Sequence, residues 1–163
     1  MKLNSYQKIL FGRIKNSFYF KLFLIAKLPL AFLTGLKLDY VNEKKCITSI
    51  KFKYLNKNPF GSIYFAALSM AAELSTGVYA LILSKGHKVK IKTILISMNS
   101  QFERKAKGLV HFECKDVSKV HEAVKKTIKD REPVTTTLSS IGRDQEKNIV
   151  AIFNYSWSFK VID

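Results

Sequence analysis

Acidic residues are scarce in this chain: 12 Asp and Glu stand against 28 Lys and Arg in 163 residues, a formal net charge of +16. Such an excess points to anionic partners: nucleic acid, a phospholipid surface or phosphorylated small molecules. Cysteine is nearly absent as well. Cys46 and Cys114 have no CxxC spacing, which excludes a disulfide framework and leads us to expect reduced thiols in a cytoplasmic protein. His87, His111 and His121 lack metal-ligand spacing, and His121-Glu122-Ala123-Val124-Lys125 is not a zincin helix, so no metal is expected. There is no GxSxG elbow, Walker loop or GxGxxG. Lys51-Phe52-Lys53-Tyr54 mixes basic and aromatic residues, but no nucleic-acid-binding motif accompanies it, and nucleic acid is not expected as a partner. The apolar run Phe18 to Leu33 is interrupted by Lys21, Lys27 and Pro29 and has no small-residue cleavage pattern, so it does not read as a cleaved signal.

What is present alternates between helical and strand periods. Residues 3–35 read as an amphipathic helix, with Ile9, Leu10, Ile14, Phe18, Leu22 and Ile25 at three- and four-residue steps; Pro29 kinks or ends it and Gly35 closes it. Its interleaved Lys8, Arg13, Lys15 and Lys21 leave two placements open, on the chain's own domain or on an anionic membrane surface. Period two then predicts a hairpin over residues 36–54, turning at Asn42-Glu43-Lys44-Lys45, with Ile50, Phe52 and Tyr54 on one face. A loop at Asn56–Pro59 leads to a helix expected from Gly61 to Ser84, with Gly77 a weak spot and Gly86 a stop. Strands are expected over 88–102, 107–115, 134–141 and 149–161, with a short helix over 119–129 ended by Pro133. The order predicts an α+β domain, one central helix against a largely antiparallel sheet.

Glu73 is the only charged residue between Lys57 and Lys85. A carboxylate in apolar surroundings costs several kcal/mol unless it is paired, solvated or protonated. Three readings compete: a lone polar group in a membrane span, a structural carboxylate satisfied by Ser69 or Thr76 one turn away, and the acid/base residue of a site. The stretch Pro59–Ser84 is long enough to span a bilayer, but its serines and alanines and the alternating strands that follow favour a helix enclosed by a sheet.

The segment Tyr64-Phe-Ala-Ala-Leu-Ser-Met-Ala-Ala-Glu73 resembles the His-Gly-Gly-(six)-Glu/Asp signature that opens the central helix of hotdog-fold acyl-CoA thioesterases, with the acid at the matching offset of nine. The preceding Asn58-Pro-Phe-Gly61 loop makes it most similar to the DUF4442 branch, related to PaaI-type thioesterases. The resemblance implies a hotdog domain over 36–163, with 1–35 an added helical segment, a sheet wrapped around a long helix, and a homodimer or dimer of dimers joined edge to edge with its sites at the interface. It implies hydrolysis of a fatty or aromatic acyl thioester, with coenzyme A as part of the substrate and no separate cofactor. Glu73 would then be the general base or nucleophile, Asn58 would shape the site entry, and Gly61 with the backbone around Tyr64 and Phe65 would serve the thioester oxygen. Lys57, Lys88, Lys90, Arg104 and Lys105 would be candidates for the coenzyme phosphates. Tyr64 stands where the signature has His, and Phe65-Ala66 where it has Gly-Gly. An alternative reading follows from that departure: a non-catalytic acyl- or lipid-binding protein, membrane-peripheral through its basic N-terminal helix.

Overall fold

A computed structural model describes residues 3–162. Helices α1 (Ser5–Lys15), α2 (Ser17–Lys27) and α3 (Pro29–Leu33) lead into strands β1 (Lys37–Val41) and β2 (Cys46–Lys51). The long helix α4 (Phe65–Leu83) follows, then β3 (Lys90–Phe102), β4 (Leu109–Cys114), α5 (Val117–Asp130), β5 (Val134–Arg143) and β6 (Ile149–Ile162). The six strands form one antiparallel sheet in the order β1-β2-β4-β5-β6-β3, so β1 and β3 are its edges.

The sheet closes around α4 because that helix is made of small and aliphatic residues, which allow close backbone approach. Ala67, Ala71, Ala72 and Ala80 are buried, and hydroxyls join helix to sheet. Thr48 Oγ1 donates to Ala71 O at 2.6 Å, Tyr155 Oη to Ser69 O at 2.8 Å, and Ser75 and Ser140 pair through Oγ at 2.8 Å. Alternate residues of β6, from Ala151 through Phe153, Tyr155 and Phe159, supply the facing wall, as their period predicts. A helix apolar enough to cross a membrane is thus a core helix, with most of its length buried.

Three boundaries depart from expectation. The N-terminal helix is not continuous to Pro29. Asn16 ends α1 and caps α2, its Oδ1 accepting from the Phe18 and Tyr19 N–H groups, and this local bonding competes with helix continuation. Pro29 then occupies the first turn of α3, where its missing N–H is harmless. The second strand stops at Lys51, and Tyr54 starts a 3₁₀ turn, Tyr54–Asn56, with its ring exposed rather than on the face of Ile50. The central helix starts at Phe65, four residues later than expected. The backbone before it is occupied otherwise: Ile63 N–H bonds Ala106 O at 2.8 Å, and Tyr64 N–H bonds Asn56 O at 2.7 Å.

The N-terminal helices dock through a polar contact that hydropathy does not reveal. Buried Gln7 donates to Leu83 O at 3.1 Å and Lys85 O at 3.0 Å, and Asn4 Nδ2 donates to Gly86 O at 3.0 Å. These side chains satisfy carbonyls at the C-terminal end of α4 that have no partner within the helix. Phe11, Ile14, Phe20 and Leu24 bury the apolar face beneath.

Candidate active site

Glu73 lies in the middle of α4, and its carboxylate has neither a hydrogen bond nor an ion pair among the described residues. The hydroxyls expected to satisfy it bond elsewhere. Thr76 Oγ1 donates to the Glu73 carbonyl at 2.8 Å and accepts from Trp157 Nε1 at 3.1 Å. Ser69 Oγ meets Tyr155 Oη at 3.0 Å and Met98 Sδ at 3.1 Å. The reading of Glu73 as a satisfied structural carboxylate therefore fails on geometry. With no side-chain or backbone partner among the described residues, partial burial raises its pKa from 4.5 to about 7.

Two cavities meet this carboxylate. The larger, about 480 Å³, is walled by Phe20 and Phe23 of α2, by Leu74 and Val78 of α4 and by Trp157 of β6. The exposed Lys85, Lys90 and Lys92 border it. A smaller one of about 240 Å³ runs past Leu28, Leu30, Leu36 and Met70. The larger also contains Thr93, whose Oγ1 is the one buried side-chain polar atom without a partner among the described residues. An apolar cavity carrying one unpaired carboxyl and one unpaired hydroxyl fits a mostly apolar ligand with a single polar group.

Gly77 makes room for the carboxylate. A Cβ built there would lie 2.8 Å from Glu73 Oε1 and 3.4 Å from the Trp157 ring. The helix passes through Gly77 unbroken, so the residue is a spatial requirement, not the weak spot its propensity suggests. We predict that Gly77→Ala keeps or raises the melting temperature, since Ala favours helix by about 1 kcal/mol. The added methyl also forces the carboxylate off its present position; if Glu73 is the working group of this site, activity falls while the fold is kept, and thermal melts beside steady-state assays check both outcomes.

The remaining sequence candidates gather elsewhere. Asn58, Tyr64 and Phe65 line a pocket of about 580 Å³ at the N-terminal end of α4, together with Arg104 and Lys105. Asn58 organises the loop: its Oδ1 accepts from the Phe60 and Ser62 N–H groups, and its Nδ2 donates to Ser62 Oγ at 3.0 Å. Gly61, at φ 71°, supplies the left-handed turn of that loop. Tyr64 caps α4 without a side-chain hydrogen bond. The first helical bonds run from Ala67 and Leu68 N–H to Tyr64 O, leaving the Phe65 and Ala66 N–H groups ahead of them, pointed out of the helix as an anion site requires. Of the proposed phosphate ligands, Lys90 borders the Glu73 cavity, Arg104 and Lys105 border the loop pocket, and Lys57 lies over the Tyr54 ring at 4.1 Å. Glu73 is nine positions along the chain from Tyr64, an axial rise of about 13 Å, so one chain does not bring its own loop and carboxylate onto one reacting atom.

No protein-family model and no curated protein matches the sequence. Solved structures do match. A protein of unknown function from Pseudomonas aeruginosa superposes with TM-score 0.73 at 21% identity, over 88% of this chain and 95% of that one. A Staphylococcus aureus thioesterase superposes with TM-score 0.61 at 14% identity, over 81% of this chain and 98% of its own. A Haemophilus influenzae thioesterase gives TM-score 0.61 at 12% identity, over 86% and 88% of the two chains. The chain has the hotdog fold. Within this hotdog protein, residues that the sequence does not mark as functional complete the Glu73 site. Gly77, one turn after the carboxylate, was the readable signal; Thr93, Trp157, Phe20 and Phe23 come from distant segments and carry none.

Proposed function

We propose that this hotdog protein is an acyl-thioester hydrolase acting on coenzyme A esters of fatty or aromatic acids. The observation that carries the proposal is the unpaired, partly buried Glu73 carboxylate, raised to about 7, at the junction of two apolar cavities. A base with that pKa is ionised enough at neutral pH to accept a proton and basic enough to take one from water. Glu73 removes a proton from water, the resulting hydroxide adds to the thioester carbonyl carbon, and the tetrahedral intermediate expels the coenzyme thiolate. The thiolate takes up the proton, leaving free acid and thiol. The acyl chain occupies the cavity walled by Phe20, Phe23 and Trp157.

The oxyanion site belongs to a second copy of the chain. Edge strand β3 has the Glu73 cavity at its start, Lys90–Thr93, and the loop pocket at its end, Phe102–Lys105. A two-fold, antiparallel pairing of β3 with its counterpart sets the start of one strand beside the end of the other. Each Glu73 then faces the partner copy's helix N-terminus, whose N–H groups receive the carbonyl oxygen, while Arg104 and Lys105 hold coenzyme phosphates. Ile94, Ile96 and Met98, half exposed on that edge, are the surface such pairing buries. The likeness of the α4 signature supports kinship with the DUF4442 and PaaI-type branch, and the free, buried thiols suit a reducing cytoplasm.

The test is thiol release from a panel of acyl-CoAs of increasing chain length. The proposal expects turnover that favours long or aromatic acyl groups; no thiol release from any member would sink it. A second reading, acyl binding without hydrolysis, is favoured by one feature: the Tyr64 and Phe65 rings pack edge to face, 4.7 Å between centroids, where glycines would leave the backbone bare. Saturable acyl-CoA binding with no turnover selects that reading.

A further inference from the structure

We infer that the outer face of α2 and α3 docks on an anionic lipid bilayer, and that this sets the mouth of the Glu73 cavity against the membrane. Helix α2 has two apolar faces. Phe20 and Leu24 are buried against the domain, but Phe18, Leu22 and Ile25, spaced as i, i+4 and i+7, are 66%, 47% and 50% exposed. On α3, Leu30 and Leu33 are about as exposed, at 61% and 58%. Such apolar residues clustered on one small unit mark an interaction surface.

Charge identifies the occupant. Residues 1–38 contain seven Lys and Arg and no Asp or Glu, so the docking unit is uniformly basic. Lys21 stands within the exposed stripe, one turn from both Phe18 and Ile25, and Lys27 follows at the end of α2. Charged residues are depleted from the dry centre of protein–protein interfaces. At a bilayer the same arrangement is favourable: apolar side chains enter the headgroup boundary, and the lysine stems run along them until the ammonium groups meet lipid phosphates.

The surface is continuous with the site. Leu28, between α2 and α3 and 37% exposed, lines both cavities that reach Glu73, and exposed Lys27 and Leu30 line the smaller one. An acyl chain leaving the bilayer beside α3 therefore enters an apolar passage that ends at the carboxylate. This second part rests on the hydrolase reading; the docking itself does not.

Flotation with phosphatidylglycerol vesicles tests the docking. The full chain is expected to float with them, and to bind neutral phosphatidylcholine vesicles, or anionic ones at raised salt, about tenfold less. Leu22→Glu with Ile25→Glu alters only exposed side chains outside both cavities and should abolish flotation with the fold intact by circular dichroism. No flotation of the wild type, or equal flotation of the double variant, overturns the proposal. So does an outcome in which the double variant merely dissociates a dimer while neither protein binds vesicles, since a second copy then covers the face. Glu73→Gln should float like the wild type. With a long-chain acyl-CoA carried on the vesicles, the double variant should lose hydrolysis about tenfold while keeping its rate on a soluble short-chain ester. Equal loss on both esters overturns delivery from the bilayer, whereas a wild type inactive on both but still floating contradicts only the hydrolase reading.

Discussion

Replacing Glu73 with Gln should lower the hydrolysis of a long-chain acyl-CoA about a thousandfold while making the protein more stable, not less. The activity loss follows from the role: general-base catalysis contributes roughly two to four orders of magnitude, and an amide of nearly the same shape accepts no proton at neutral pH. The stability gain follows from the environment. Burial raises the Glu73 pKa above its ordinary 4.5 to about 7, so the folded chain holds this proton more tightly than the unfolded chain. Ionisation then destabilises the fold increasingly as pH rises from 4.5 towards 7, and by a constant amount above that. The constant amount is of order 3 kcal/mol from the size of the shift. Gln does not ionise, so the variant should melt several degrees higher than the wild type near pH 8, with the difference vanishing near pH 4. A structural carboxylate would give the opposite result, because removing one partner of a satisfied pair destabilises. Thermal melts at the two pH values, beside thiol-release assays, measure both outcomes.

The second large effect concerns the sheet edge. Ile96→Lys with Met98→Lys puts two charges on β3 at side chains that are half exposed in the single chain, and edge lysines oppose strand-to-strand pairing. If each site joins one chain's Glu73 to its partner's loop pocket, the double variant should sediment as a monomer and lose about a hundredfold or more in turnover, while its melting temperature shifts little. A monomer of full activity would show that one chain carries a whole site. An unchanged dimer of full activity would show that β3 is not the interface.

Much of the fold could be read from the sequence, because the two periodicities are strong. Val110, Phe112 and Cys114 on β4, and alternate residues of β6 from Ala151 to Val161, are buried as their spacing predicts. Asn42 N–H closes the β1–β2 hairpin on Lys45 O at 2.9 Å, as the turn residues imply. What could not be read depends on long-range polar contacts. Asn56 looks like an ordinary loop residue, yet it is buried, with Nδ2 donating to Thr34 O and Lys51 O and its carbonyl fixing the start of α4. Gln7 is not singled out by the helical pattern of residues 3–35, yet in the structure it anchors that segment to the end of α4.

The candidate site divides in the same way. Glu73 announced itself by isolation, and the loop from Asn58 to Phe65 by its turn residues and its offset from the acid. That the loop sits at the N-terminal end of α4 and Glu73 at its middle depends on α4 starting at Phe65 and on both pockets opening beside β3. Nor could the sequence show that Ser69 and Thr76 have other partners, since both stand one turn from Glu73 and were equally suited to serve it.

The most direct test of the central claim, that Glu73 in its cavity is the base of a hydrolase, is the pH dependence of kcat/KM for a long-chain acyl-CoA. The account predicts a tenfold rise per pH unit on the acid side, a midpoint near 7 and a plateau above it, with the limb absent from the residual activity of Glu73→Gln. A profile that is flat through neutrality, or the same limb in the variant, would contradict it.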